Sequence, residues 1–143
     1  MKRFILIAED DADDRYLMKT ALAETGITEM VEYVENGVEV ISYLESINEE
    51  NGQLNYPRFI LLDLNMPKMD GREVLKKMKS TDAFRKIPVI VFSTTKNQME
   101  VKRCYDLGAN TYIVKPVSYD TLVATIREIC AYWFNTATLI DSH

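Results

Sequence analysis

Several features that would assign a chain to a special class of protein are scarce in these 143 residues. The two cysteines, Cys104 and Cys130, are too far apart for a CxxC unit and too few for a disulfide framework. No apolar run approaches the roughly 18 residues of a membrane span, and the short run near the start ends in acids, unlike a signal peptide. Acidic residues outnumber basic ones by 22 to 17, which argues against capture of nucleic acid. We therefore expect a cytoplasmic protein that binds neither membranes nor, directly, nucleic acid.

The composition is that of an ordinary folded domain. Apolar residues make up 47% of the chain and charged residues 27%, enough for a core and a hydrated surface. We find no internal repeat, low-complexity tract or interdomain linker. We expect one domain over residues 1–134 with an extended last helix, followed by a flexible tail over residues 135–143. The lone His143 lies in that tail, and no role is assigned to it.

Short apolar runs alternate with stretches of helical periodicity along the whole chain. The apolar runs are Phe4–Ala8, Met30–Val34, Phe59–Leu62, Val89–Phe92 and Thr111–Val114. The helical stretches cover residues 13–25, 38–47, 72–79, 98–107 and 119–134. Because several runs are continuously apolar, they read as strands covered on both faces. Five βα units predict a doubly wound α/β fold with a parallel sheet, although periodicity leaves the strand order open.

Residues that break or cap helices lie where this scheme needs them. Gly26 and Gly108 follow helical stretches and are expected to form left-handed C-terminal caps. Ser118 is a suitable N-cap for the last helix. The polar stretch over residues 48–55 is interpreted as a surface loop.

Ionisable and hydroxyl side chains follow four of the predicted strands. Glu9 and Asp10 follow the first strand, Asp63 the third, Ser93 the fourth and Lys115 the fifth. Because parallel strands end at one edge of the sheet, we expect these side chains to meet there. Three carboxylates held together repel one another unless a cation compensates, and an oxygen-rich set suits Mg²⁺.

This combination of groups suits phosphoryl transfer. The carboxylate of Asp63 can act as a nucleophile and form an acyl phosphate. The metal ion and Lys115 would neutralise the charge that develops on the phosphoryl oxygens. The hydroxyl of Ser93 could donate a hydrogen bond to one of those oxygens.

The strand-end residues belong to a longer pattern. It consists of Glu9-Asp10, Asp63-Leu64-Asn65-Met66-Pro67-x-x-Asp70-Gly71, Ser93 and Tyr112-x-x-Lys115-Pro116. The pattern resembles the receiver domains of bacterial two-component response regulators and spans roughly residues 3–130. The resemblance implies a flavodoxin-like fold with five helices and a five-stranded sheet of order 2-1-3-4-5. It also implies transfer of a phosphoryl group to Asp63 from a sensor histidine kinase or a phosphotransfer protein.

Roles for the other site residues follow from the same resemblance. Asp10 and Asp63 would ligate Mg²⁺ directly, together with the backbone carbonyl of Asn65, and Glu9 would act through a water. Lys115 would pair with the phosphoryl group. The protein would then be a phosphoacceptor signalling module, which catalyses only its own phosphorylation and dephosphorylation.

A switch and several structural roles are also implied. Ser93 and Thr94 would contact the phosphoryl group, and Ser93 with Tyr112 would couple phosphorylation to the surface formed by the fourth helix, fifth strand and fifth helix. Ser93 stands where threonine is commoner, and Thr94 where a small residue is usual. Structural roles are implied for Pro67, for Gly71 through an unusual backbone angle, and for Pro116 through a cis peptide bond.

Other interpretations remain open at this point. A haloacid-dehalogenase-type phosphatase also uses a strand-end aspartate and Mg²⁺, but it needs a second aspartate where this chain has Asn65. An interaction module that has lost phosphorylation would lack some of the acids or the lysine. A finer likeness to regulators associated with bacterial phytochromes rests on Thr94-Thr95-Lys96 and Tyr132-Trp133-Phe134. Trp133 and Phe134 could anchor an intermolecular contact, either a homodimer through the last helix or a contact with the kinase, or they could pack back onto their own domain.

Overall fold

The structure is a computed structural model that describes residues 4–27, 30–50 and 52–139. Residues 140–143 of the expected tail lie outside the described residues. The five main strands are β1 (Phe4–Ala8), β2 (Met30–Val34), β3 (Phe59–Leu62), β4 (Val89–Ser93) and β5 (Thr111–Val114). They form a parallel sheet of order β2-β1-β3-β4-β5. The flavodoxin-like order 2-1-3-4-5 is therefore confirmed.

Five α-helices connect and flank these strands. They are α1 (Ala12–Glu24), α2 (Gly37–Glu45), α3 (Gly71–Lys79), α4 (Gln98–Asp106) and α5 (Tyr119–Cys130). Each begins after a residue whose side chain accepts a backbone N–H of the first turn, as N-caps do; these are Asp11, Asn36, Asp70, Asn97 and Ser118. Gly26 and Gly108 have positive φ angles after α1 and α4, so their predicted capping role is confirmed. Of the helices in the described ranges, none combines the length and apolar character that crossing a bilayer requires.

The core lies in two layers, one on each face of the sheet. Successive residues of β1 point to opposite faces, so Leu6 packs with the layer under α2 and α3 while Ile5 and Ile7 pack under α1 and α5. All five residues of β1 are buried. Burial of each such aliphatic side chain contributes about 1.5–3 kcal/mol, which fixes the central strands and therefore the positions of the residues that follow them.

Three local expectations from the sequence are wrong. The stretch over residues 48–55 is not an irregular loop, because Glu49–Glu50 and Gln53–Leu54 pair as a short antiparallel hairpin. Gly52, with a φ of 77°, supplies the backbone conformation that its turn requires. Gly71 does not have a positive φ. The described residues contain no cis peptide bond, so the bond between Lys115 and Pro116 is trans.

The end of the last helix packs against its own domain. After Cys130 the chain continues as a π-helical segment, Ala131–Thr136, rather than as an α-helix to residue 134. Phe134 is buried, and its ring centroid lies 5.6 Å from that of Phe59. The ring of Trp133 lies 6.3 Å from Phe59. Of the two alternatives for this aromatic pair, the structure contains the intramolecular packing, and the homodimer stays a prediction.

Candidate functional site

Three carboxylates converge where β1 and β3 end. Glu9, Asp10 and Asp63 each place one carboxylate oxygen so that all three oxygens lie within 4.8 Å of one another. The sheet extends into these residues: the N–H of Asp63 donates to the Ala8 carbonyl at 3.1 Å, and the N–H of Glu9 donates to the Val34 carbonyl at 3.0 Å. Because β1 and β3 are neighbours, acids 53 residues apart in the chain become adjacent. Glu9 and Asp63 are buried, whereas Asp10 is exposed.

Lys115 brings a single ammonium group into this cluster. The N–H of Lys115 donates to the Ser93 carbonyl at 2.8 Å, which carries the β4–β5 pairing one residue beyond the strands. Its Nζ forms a salt bridge with Glu9 and lies 3.7 Å from Oδ2 of Asp63. The same Nζ lies 3.4 Å from Oδ2 of Asp14. One largely buried lysine is therefore shared among three carboxylates.

Burial of these groups shifts their pKa values. Burial raises the pKa of Glu9 to about 7; the hydrogen bond from Lys115 opposes the rise, and the charge of Asp63 adds to it. Burial also raises the pKa of Asp63, against the charge of Lys115, a hydrogen bond with Glu9 and the backbone N–H of Asn65. Burial alone would lower the pKa of Lys115, but the hydrogen bond and charges of its acidic neighbours raise it. Apolar neighbours contribute to this burial, because the cavity that Glu9, Asp63 and Lys115 line also has Ile7, Leu61 and Phe92 in its wall.

The donor set fits a hard divalent cation. It consists of three carboxylates, and within the described residues the cluster includes no histidine or cysteine. Burial raises the pKa values of two of these carboxylates, and a nearby positive charge would stabilise their ionised forms. Asn65 is exposed and follows Asp63 and Leu64 directly, and its role as a ligand through the carbonyl stays a prediction.

Gly71 shapes the segment that carries Asp63. A Cβ at this position would lie 2.5 Å from the Asp63 carbonyl oxygen and 2.8 Å from Cα of Leu64. The N–H of Gly71 donates to the Leu64 carbonyl at 2.9 Å. The residue is therefore needed for close approach of the start of α3 to the site, and not for an unusual backbone angle. Pro67 is exposed and lies in the loop between β3 and α3, where its carbonyl accepts a hydrogen bond from the N–H of Met69 at 2.8 Å.

The hydroxyl residues lie at the ends of β4 and β5. Ser93 is fully buried, and its Oγ accepts a hydrogen bond from the N–H of Thr95 at 3.2 Å. The Tyr112 hydroxyl donates to the Thr95 carbonyl at 2.8 Å. Thr94 is exposed, and Pro116 lines the cavity beside Lys115. The phosphoryl-binding and switch roles of these residues stay predictions.

Two residues of the site are absent from the pattern found in the sequence. Asp14 contacts Lys115 from the first turn of α1, and it belongs to the acidic run that starts at Glu9. That run of acids directly after the first strand was an available signal. Tyr105 of α4 accepts a hydrogen bond from the backbone N–H of Tyr112 at 2.9 Å. No periodicity or motif predicts this contact, since it depends on how α4 sits beside β5.

Comparison with known proteins agrees with the fold. A family model, the response regulator receiver domain, matches residues 5–127. The probable methanogenesis regulatory protein FilR2 of Methanothrix harundinacea is 36% identical over 129 residues, covering 90% of this chain and 82% of that protein. The phosphorylated cyanobacterial phytochrome response regulator RcpA, known from a crystal structure, is 38% identical in sequence to this chain. The two structures match with a TM-score of 0.86, covering 97% of this chain and 99% of RcpA.

A further relative is response regulator Rcp1 of Synechocystis. It is 33% identical over 137 residues, covering 96% of this chain and 92% of Rcp1. The crystal structure of its Mn²⁺-bound form has a TM-score of 0.83 and 33% identity, covering 96% of this chain and 98% of the other. The predicted likeness to phytochrome-associated regulators is thus confirmed as a likeness. On the family match and these relatives, the chain belongs to the response regulator receiver domains.

Proposed function

We propose that this receiver accepts a phosphoryl group on Asp63 from the phosphohistidine of a sensor kinase or phosphotransfer protein. The observation that carries the proposal is the placement of Asp63: it is buried beside two further carboxylates, with Nζ of Lys115 3.7 Å away. A carboxylate oxygen would form the new bond to phosphorus, and the bond from phosphorus to the donor's imidazole nitrogen would break. The electron pair of the broken bond returns to the imidazole, which leaves as the neutral ring when its other nitrogen already carries a proton, and the product is an aspartyl phosphate.

We propose Mg²⁺ as the cation of the site. Asp10, Asp63 and the carbonyl of Asn65 would hold the ion, with Glu9 acting through a water. The bound ion would supply positive charge to the phosphoryl oxygens. The Mn²⁺-bound form of Rcp1 supports a divalent ion in this family. Lys115 would pair with the phosphoryl group, for which its ammonium is already close to the Asp63 carboxylate.

Phosphorylation would be converted into a change of surface. Ser93 and Thr94 would contact the phosphoryl group, and Tyr112 would respond through the loop between β4 and α4. The contact between Tyr112 and the Thr95 carbonyl supports this route, because it joins β5 to the residue that also donates to Ser93. The protein would act as a phosphoacceptor in the cytoplasm and catalyse only its own phosphorylation and dephosphorylation. A homodimer through the last helix remains part of the proposal.

The test is intact-mass analysis after incubation with a small phosphodonor such as acetyl phosphate. We expect one Mg²⁺-dependent phosphoryl adduct on the native protein and none on Asp63→Asn. Asp82→Asn is the matched control, because this exposed aspartate lies after α3, at the opposite end of the sheet. Equal labelling of native protein and Asp63→Asn would refute the assignment of the phosphoacceptor.

A further inference from the structure

A chain of three hydrogen bonds, joined covalently through Thr95 and Tyr112, runs from the candidate site to the exposed side of α4. The Ser93 hydroxyl oxygen accepts from the N–H of Thr95 at 3.2 Å, and the Thr95 carbonyl accepts from the Tyr112 hydroxyl at 2.8 Å. The backbone N–H of Tyr112 in turn donates to the hydroxyl of Tyr105 at 2.9 Å. The chain therefore starts at a fully buried hydroxyl beside the site and ends on a side chain that is 47% exposed.

Helix α4 has little apolar packing to hold it in place. Cys104 is its single buried residue. Polar contacts hold both ends of the helix: near its start, Nε of Arg72 on α3 lies 3.0 and 2.9 Å from the two carboxylate oxygens of Glu100. Near its end, the Tyr105 hydroxyl binds β5, the edge strand of the sheet. Because a single neutral hydrogen bond contributes only modest net free energy, the Tyr105 end of α4 can shift at low cost, whereas the bidentate pair of Arg72 and Glu100 holds the start of the helix more firmly.

We propose that Tyr105 is a positioning residue of the switch, whose hydroxyl holds α4 against β5 in the unphosphorylated protein and releases the Tyr112 N–H on phosphorylation. This inference rests on the proposed function. It adds to the Ser93 and Tyr112 pair a third side chain, on the helix whose position the switch would change.

The connectivity explains why this bond is specific to one state. If the Ser93 hydroxyl turns toward a phosphoryl group, its oxygen leaves the Thr95 N–H, and the Thr95 peptide loses a contact that fixes it. Thr95 lies two residues before Asn97, the N-cap of α4, so movement of this peptide is transmitted directly to the helix. A displacement of about 1 Å at Tyr105 is enough to take a 2.9 Å hydrogen bond beyond hydrogen-bonding distance.

Loss of the Tyr105 hydroxyl should therefore favour the phosphorylated arrangement. Tyr105→Phe keeps the ring, and the Tyr112 N–H at the sheet edge can then bond to water. The expected change in free energy is therefore at the lower end of the range for a hydrogen bond. We expect affinity for the phosphoryl mimic beryllofluoride, in the presence of Mg²⁺, to increase about two- to fivefold. Tyr132→Phe is the matched control, since it removes an exposed tyrosine hydroxyl from the far end of the last helix.

The experiment combines a beryllofluoride titration, followed by ¹⁹F NMR, with amide hydrogen exchange of Tyr112 resolved by ¹⁵N NMR. We expect the Tyr112 amide of the native protein to exchange faster when beryllofluoride is bound, and that of Tyr105→Phe to exchange fast already without it. Equal affinity of Tyr105→Phe and native protein, or equal protection of the Tyr112 amide in both native states, would overturn the inference alone. A native protein that neither binds beryllofluoride nor takes up phosphate would overturn the proposed function, and with it this inference.

Discussion

Replacement of Lys115 by glutamine tests how the site keeps its carboxylates charged. Nζ of Lys115 forms a salt bridge with Glu9 and lies 3.7 Å from Asp63, and both acids are buried. The variant retains much of the side chain's volume but loses the ammonium charge. We expect it to be less stable than the native protein, by an amount that depends strongly on pH.

The magnitude follows from the pKa of Glu9. Its folded-state pKa of about 7 lies above the ordinary value of 4.5, so its contribution to stability falls as pH rises between these values and is constant above 7. At about pH 5.5 Glu9 is mostly protonated in the native protein, and loss of Lys115 costs little. Without Lys115 the folded-state pKa of Glu9 is higher still, so above pH 7 the variant must protonate Glu9 when it folds. Relative to the native protein, this costs about 1.4 kcal/mol per pH unit. We therefore expect a destabilisation of about 1–2 kcal/mol near pH 8, with Asp63 acting in the same direction.

Urea unfolding of both proteins in chelator, at about pH 5.5 and about pH 8, measures this difference. Lys102→Gln is the control, because Lys102 is exposed and pairs at 2.9 Å with Asp106 on the same helix. We expect its effect to stay below about 1 kcal/mol at either pH. Saturating Mg²⁺ should reduce the gap between native protein and Lys115→Gln, since loss of the Lys115 ammonium leaves the carboxylates free to bind the cation more tightly and the variant gains more stability from it. A destabilisation by Lys115→Gln that is the same at both pH values would refute the reasoning.

Two further substitutions test packing around the site and at the last helix. Gly71→Ala should lower the free energy of unfolding by about 1–3 kcal/mol and slow phosphorylation, because its Cβ would lie 2.5 Å from the Asp63 carbonyl oxygen and 2.8 Å from Cα of Leu64; an unchanged urea midpoint would show that the α3 start yields freely. Phe134→Ala should cost about 3 kcal/mol in the same assay, because the ring packs on Phe59 at 5.6 Å. If Phe134→Ala instead changed the molecular mass by light scattering and left monomer stability unchanged, Phe134 would act in self-association.

Much of the fold could be predicted because burial imposes simple patterns on a parallel sheet. The run Phe59–Leu62 is apolar at every position, since both faces of a central strand are covered, and its predicted bounds are those of β3. The same regularity places Asp63 and Lys115 at one edge, since each directly follows a strand. Strand order did not follow from periodicity, because every strand of a doubly wound sheet has the same local pattern. It came from the family resemblance.

Other features depend on contacts that no local pattern records. The hairpin formed by Glu49–Glu50 and Gln53–Leu54 has the polar composition of a loop, with few of the β-branched residues typical of strands. The change from α-helical to π-helical geometry after Cys130 leaves the apolar spacing nearly unchanged. The sequence pattern therefore predicted one uninterrupted helix through this point. The contact of Tyr105 with β5 depends on the packing of α4 against the sheet.

The contacts of Lys115 also indicate what must change when the site functions. Its ammonium acts on Glu9 in the same direction as a bound cation would, because it lowers a pKa that burial raises to about 7. The same ammonium lies 3.7 Å from the Asp63 carboxylate, so it could also pair with a phosphoryl group on Asp63. One lysine cannot pair fully with both, so a phosphorylated Asp63 would draw Lys115 away and leave Glu9 in need of another positive charge. On this argument, metal and phosphoryl group should favour each other's binding, with Glu9 ionised when both are present and able to take up a proton when both are absent.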